Sequence, residues 1–259
     1  MGTRTNTDRL GGRLGGRLDD RLYQARIRDT FRGSMVLYLL TAVPLAYAFV
    51  LVLNGAPFPV RRFTVFPVVK GFVTGLVVYG ILVLSAILVP LEISFFGVYI
   101  FSAVFTFTIP LLVAISAFFF LERRVFEESE TAVFTSMTSF LAAFFSVYGL
   151  LDIVFGSARF SIYDVILVPS LRVGVLLLIP ILVVTARSVF GWMKIVTFIA
   201  LAIIPFGLPF ISVFWYFVYP VETTLVVAIV TATGAFLFLF LRVRVLESYA
   251  DHEKTGGAA

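Results

Sequence analysis

The 259-residue chain is 60% hydrophobic and only 14% charged, with a mean hydropathy of +1.05, whereas a soluble domain carries about 25% charged residues. That balance excludes an ordinary soluble fold, because thirty phenylalanines exceed what a soluble core of this length holds but are tolerated where lipid is the solvent. The lack of cysteine and the single histidine, His252, exclude thiol catalysis, disulfides and Cys/His zinc sites, so neither a metal nor a cofactor is expected.

The net charge of +5 arises mainly from residues 1–34, which hold eight Arg against four Asp. Within this basic, low-complexity tail the stretch GGRLGGRLDDRL (11–22) repeats a four-residue unit. A repeat of four drifts by about 40° per unit against the helical period, and Gly11, Gly12, Gly15 and Gly16 oppose helix formation. No single apolar face therefore runs through the tail. Residues 1–16 read as flexible, and 17–32 are compatible with a basic surface helix. Four aspartates and the lack of any aromatic before Tyr23 argue against nucleic-acid binding.

From residue 35 the chain becomes a series of seven apolar segments, at 35–53, 71–91, 95–121, 131–151, 165–186, 195–219 and 222–241. Their unbroken apolar character suits membrane helices and not alternating barrel strands. The expected fold is an all-α, polytopic transmembrane bundle of six or seven spans: a single membrane domain over 35–241 and a short cytoplasmic C-terminal tail, 242–259. Kinks or breaks are expected at Pro44, Pro110 and Pro205–Pro209, where proline removes a backbone donor. The PFGLP stretch, with Gly207 between Pro205 and Pro209, is the best candidate for a break of the kind that exposes backbone groups to a substrate.

Small residues mark helix-packing faces. In the fourth segment Thr131, Thr135, Ser139, Ala142, Ser146 and Gly149 fall within about 80° of one another. Thr224, Ala228, Thr231 and Ala235 form a similar stripe in the seventh, and Gly71 and Gly75 make a small-xxx-small pair in the second. A Thr/Ser stripe could alternatively line a polar pathway.

Sorting the loop charges gives ten basic residues on one side (Arg61, Arg62, Lys70, Arg123, Arg124, Arg187, Lys194, Arg242, Arg244 and Lys254) against Arg159 alone on the other. Lys and Arg in short loops stay in the cytoplasm, which places the C-terminus inside, in a cell membrane of prokaryotic inner-membrane type. Seven spans would then leave the eight N-terminal arginines outside. Either segment 35–53 does not span, or the tail lies outside, or translation begins at Met35.

Candidate chemistry lies opposite the basic side. Asp152 ends the fourth segment, Asp164 begins the fifth, and Arg172 follows about two turns later. An ionisable residue within a membrane segment is a functional hypothesis by default, to be weighed against a shallow, snorkelling arginine at a helix start. Glu92 and Glu222 fall on the same side and could complete an acidic vestibule. The set Asp152, Asp164, Arg172, Glu92 and Glu222 therefore forms a candidate substrate or ion pathway. No catalytic constellation, phosphate loop or family signature is legible. The expected function is transport, or service as the membrane subunit of a larger complex. The alternatives are a scaffold subunit without a substrate and a membrane enzyme using interfacial carboxylates. Expected partners are membrane lipids and other membrane or cytoplasmic subunits, not nucleic acid, with the oligomeric state open.

Overall fold

The computed structural model describes residues 61–88, 101–155, 161–188 and 190–236, with scattered positions between 35 and 50 that are helical. The tail 1–34, Pro44, Glu92, Arg159 and the C-terminal tail 242–259 lie outside the described residues, as does much of segment 35–53. The rest forms helices α1 (Phe66–Leu88), α2 (Ile109–Leu121), α3 (Glu130–Phe155), α4 (Val168–Ser188), α5 (Trp192–Val218) and α6 (Pro220–Phe236). No strand occurs among the described residues. Three stretches are long and apolar enough to cross a membrane: Arg62–Leu84, Glu130–Phe155 and Tyr163–Ser188. Helices α2 and α6 are apolar but shorter. Among the described residues three stretches thus qualify as spans by length and composition; the six or seven expected from the sequence include segments that lie outside the described residues.

Three helices open on a wide π-helical turn, at Arg61–Val65, Phe101–Thr108 and Tyr163–Leu167. Each turn ends two residues before a proline: Pro67, Pro110 and Pro169. The common cause is local. A proline has no N–H for the carbonyl four residues back, and its ring crowds that carbonyl. Widening the preceding turn relieves the clash. In the second case Thr108 Oγ1 donates to the Ala103 carbonyl at 3.0 Å, five residues back. The irregularity expected at Pro110 is therefore a wide turn running into an α-helix.

At Pro205–Pro209 α5 is continuously helical from Trp192 to Val218, so of the kink or break expected there the break does not occur. Two prolines four residues apart remove donors on the same side of the helix, and the remaining N–H groups continue the ladder. Pro180 lies inside α4 and went unnoticed as a candidate irregularity in the sequence.

Helix α3 is the centre of the molecule and packs against α1, α2 and α4, while α4 also packs against α5. Its side chains Met137, Phe140, Leu141 and Phe144 are fully buried with Phe118 of α2. Phe118 meets Phe140 edge-to-face at 5.5 Å. Two positions along α2, Phe120 is 85% exposed, on an outward apolar face suited to lipid. Gly71 and Gly75 lie where α1 crosses α3: a Cβ at Gly71 would overlap the Phe140 carbonyl, and one at Gly75 would come within 3.1 Å of the Phe144 carbonyl. This crossing uses the face of α3 opposite its Thr/Ser stripe.

The basic end is fastened by side chains from three elements. The short 3₁₀ turn Arg123–Glu127 joins α2 to α3. Arg62 pairs with Glu128 at 3.3 Å, and Lys70 pairs with the buried Glu122 at 2.8 Å. Lys70 also donates to the Leu121 carbonyl at 3.1 Å, satisfying an acceptor at the end of α2. Arg187, at the end of α4, donates to the Phe126 and Glu128 carbonyls at 2.9 and 3.3 Å. Lys70→Met leaves the Glu122 carboxylate buried and unpaired, and is expected to lower stability by about 2 kcal/mol. Adding Glu122→Gln should recover most of that loss, which a double-mutant cycle of unfolding midpoints measures.

Candidate functional site

At the opposite end α1, α3 and α4 bring together Tyr79, Tyr148, Asp152, Asp164 and Arg172. The period of α3 puts Tyr148 and Asp152 one turn apart on one side, with Gly149 beside Tyr148. Arg172 projects from α4 toward this surface and is only 3% exposed. Its guanidinium carbon lies 5.9 Å from the centre of the Tyr148 ring, a cation–π separation. A Cβ added at Gly149 would lie 2.6 Å from Arg172 Nη1. The end of the guanidinium therefore lies in the space left by the missing side chain of Gly149, and a Cβ there would make that end shift. Burial also counts against a snorkelling arginine, since the side chain does not reach the surface.

The guanidinium is incompletely satisfied: Arg172 Nη2 is buried and has no hydrogen-bond partner. The described ion pairs are Arg62–Glu128 and Lys70–Glu122, and Arg172 belongs to neither. Asp152, half-buried in the last turn of α3, is within electrostatic reach of both Arg172 and Asp164. Tyr79 of α1 meets the Tyr148 ring edge-on at 5.5 Å, and its buried hydroxyl also lacks a hydrogen-bond partner. Two side chains that flank one aromatic ring thus each carry a buried donor without a hydrogen-bond partner, although the Asp152 carboxylate acts electrostatically on both. An unpaired buried donor is costly, and a bound water or ion is one way in which a protein satisfies it.

Asp164 is held in place on the wide turn before α4. Ser161 Oγ donates to its carboxylate at 2.9 Å and accepts its backbone N–H at 3.2 Å. Nearby, Tyr163 contacts Tyr216 of α5 with ring centroids 5.0 Å apart. Together with Ala103, Phe107, Leu167, Leu171 and Val213 these tyrosines form a second core cluster that binds α4 and α5 to the Phe101–Thr108 stretch.

Not every candidate joins this cluster. Glu222 is exposed in the first turn of α6, where a helix N-terminus favours an anion. In the same turn Thr224 is buried and donates to the Pro220 carbonyl at 2.7 Å. Within the α3 stripe, Ser139 and Ser146 return their hydroxyls to the Thr135 and Ala142 carbonyls, both at 2.7 Å, whereas the Thr135 hydroxyl is buried without a partner. Ala228 is half-buried on α6. Thr231 and Ala235, with Gly174 of α4 and Leu208 and Pro209 of α5, line an apolar groove of about 210 Å³. Thr231 Oγ1 is 3.5 Å from where a Gly174 Cβ would lie.

Sequence patterning did not single out Tyr79 or Tyr148, nor the meeting of Gly149 with Arg172. The available signal was the Tyr148-Gly149 pair one turn before Asp152. Among the described residues no group of three acidic, His or Cys side chains is placed to hold a metal. Comparison with protein-family models, with curated proteins and with solved structures finds no match.

Proposed function

We propose that the chain is a multi-pass integral membrane protein of transport type, with its working site around Arg172, Asp152 and Asp164. One observation carries this reading: a nearly fully buried arginine, unpaired at Nη2, on a helix of spanning length and apolarity. Such a charge is expensive in a membrane interior, and it is characteristically retained where it handles a charged substrate. Asp152, within electrostatic reach of both Arg172 and Asp164, supports the same reading.

The basic end, with Lys70, Arg123, Arg124, Arg187 and Lys194, is read as the cytoplasmic one, in a prokaryotic inner membrane. Because the chain has no cysteine, single cysteines report sidedness without background. In intact cells an impermeant thiol reagent should label Glu222→Cys directly and Arg123→Cys only after lysis. The reverse pattern overturns the orientation.

The transport reading is tested by substrate uptake into cells or vesicles carrying Arg172→Ala and Asp164→Asn. Uptake should fall at least about tenfold for each. Unchanged uptake by both variants sinks the proposed site. Unchanged uptake together with loss of a co-purifying partner favours the membrane subunit of a larger complex.

A further inference from the structure

Building on the transport reading, we infer that the unfilled acceptor position at Arg172 receives a small monovalent anion, a carboxylate or a halide. Nη1 is wedged against Gly149, so the free valence of the guanidinium is at Nη2. The Tyr79 hydroxyl is a second unfilled donor bordering the same Tyr148 ring. Both groups donate, which selects an anion over a cation.

Charge selects the valence. Arg172 supplies one positive charge, and Asp152 acts nearby with the opposite sign. A dianion would leave more negative charge uncompensated in a dry environment than a monoanion, so sulfate and dianionic phosphate are disfavoured relative to it. Burial selects the size. Arg172 is 3% and Tyr79 8% exposed, and Gly149 leaves no room on the Nη1 side, so the ligand is limited to a few heavy atoms. Asp152 is the competitor: its carboxylate repels the incoming anion, and a ligand therefore binds against it.

The test uses the purified full chain in lipid nanodiscs, with gluconate as the bulky reference anion. Sodium acetate, chloride and sulfate are titrated separately, and thermal unfolding and tyrosine fluorescence are followed. Acetate or chloride should raise the unfolding midpoint saturably, and sulfate should not. A response to acetate alone identifies a carboxylate site, and a response to chloride alone a halide site. Asp152→Asn should tighten the apparent Kd about fivefold by removing the competing charge, and Arg172→Met should abolish the response. Equal behaviour in all four anions, an equally strong response to sulfate, or a response that survives Arg172→Met overturns the inference and leaves a bound water as the partner of Nη2. If Arg172→Met cannot be purified, an unchanged or weaker Kd in Asp152→Asn overturns it. Binding without uptake keeps this inference and sinks the transport reading; uptake indifferent to these anions does the reverse.

Discussion

Replacing Arg172 with methionine is expected to stabilise the folded protein by about 1–3 kcal/mol while abolishing the proposed uptake. The guanidinium is nearly fully buried, and Nη2 has no partner, so the native state bears a desolvation penalty that its contact with Tyr148 only partly offsets. Methionine fills most of the same volume with no charge and adapts its shape to the slot beside Gly149. Removing a buried charge of this kind in favour of a well-packed apolar side chain is often neutral or stabilising. The unfolding midpoint in nanodiscs, read beside uptake, decides the matter. A gain in stability with lost uptake marks a residue kept for function at the expense of the fold. A loss of about 2 kcal/mol or more would instead make Arg172 a structural tie between α3 and α4.

The second large effect lies at the α1–α3 crossing, where three glycines of one helix form a graded series. A Cβ at Gly71 overlaps the Phe140 carbonyl, one at Gly75 comes within 3.1 Å of the Phe144 carbonyl, and one at Gly80 meets nothing within 4 Å. A main-chain oxygen cannot rotate away as a side chain can, so the helices must separate or slide. Gly71→Ala is expected to lose about 3 kcal/mol or more and Gly75→Ala about 1 kcal/mol. Gly80→Ala should be neutral or gain up to about 1 kcal/mol from helix propensity. Unfolding midpoints of the three variants test the order, and equal effects at Gly71 and Gly80 would show that α1 does not cross α3 in this register.

Much of the helical series was legible because long apolar runs separated by charge have few alternative structures in lipid. The segments 131–151 and 165–186 lie within the spans Glu130–Phe155 and Tyr163–Ser188. The second segment was placed too late, at 71, because Lys70 and the arginines at 61 and 62 look like loop residues. In the structure they belong to the helical entry, where long basic side chains reach Glu122 and Glu128.

In the candidate site, charge was the readable part. Asp152, Asp164 and Arg172 stand out in a sequence this apolar. The tyrosines did not, because ten tyrosines among thirty phenylalanines carry no marker of which face they occupy. The slot at Gly149 depends on how α4 is rotated against α3, which no single-helix pattern encodes. Proline was legible in part: the irregularity expected at Pro110 is present as a wide turn, with like turns before Pro67 and Pro169, whereas at PFGLP, where a kink or a break was expected, α5 runs on without a break.

The buried arginine also bears on how the protein is made. The slot at Gly149 exists only once α3 and α4 have met, so α4 must enter the bilayer carrying an unsheltered positive charge. A mid-helix arginine opposes insertion by about 2.5–3.5 kcal/mol, and the rest of the helix has to outweigh it. Of the three spanning stretches, the one holding Arg172 is the most apolar, which provides that excess. Thinning its leucines and valines would therefore show first as failed membrane integration during synthesis, before any weakness of the finished fold.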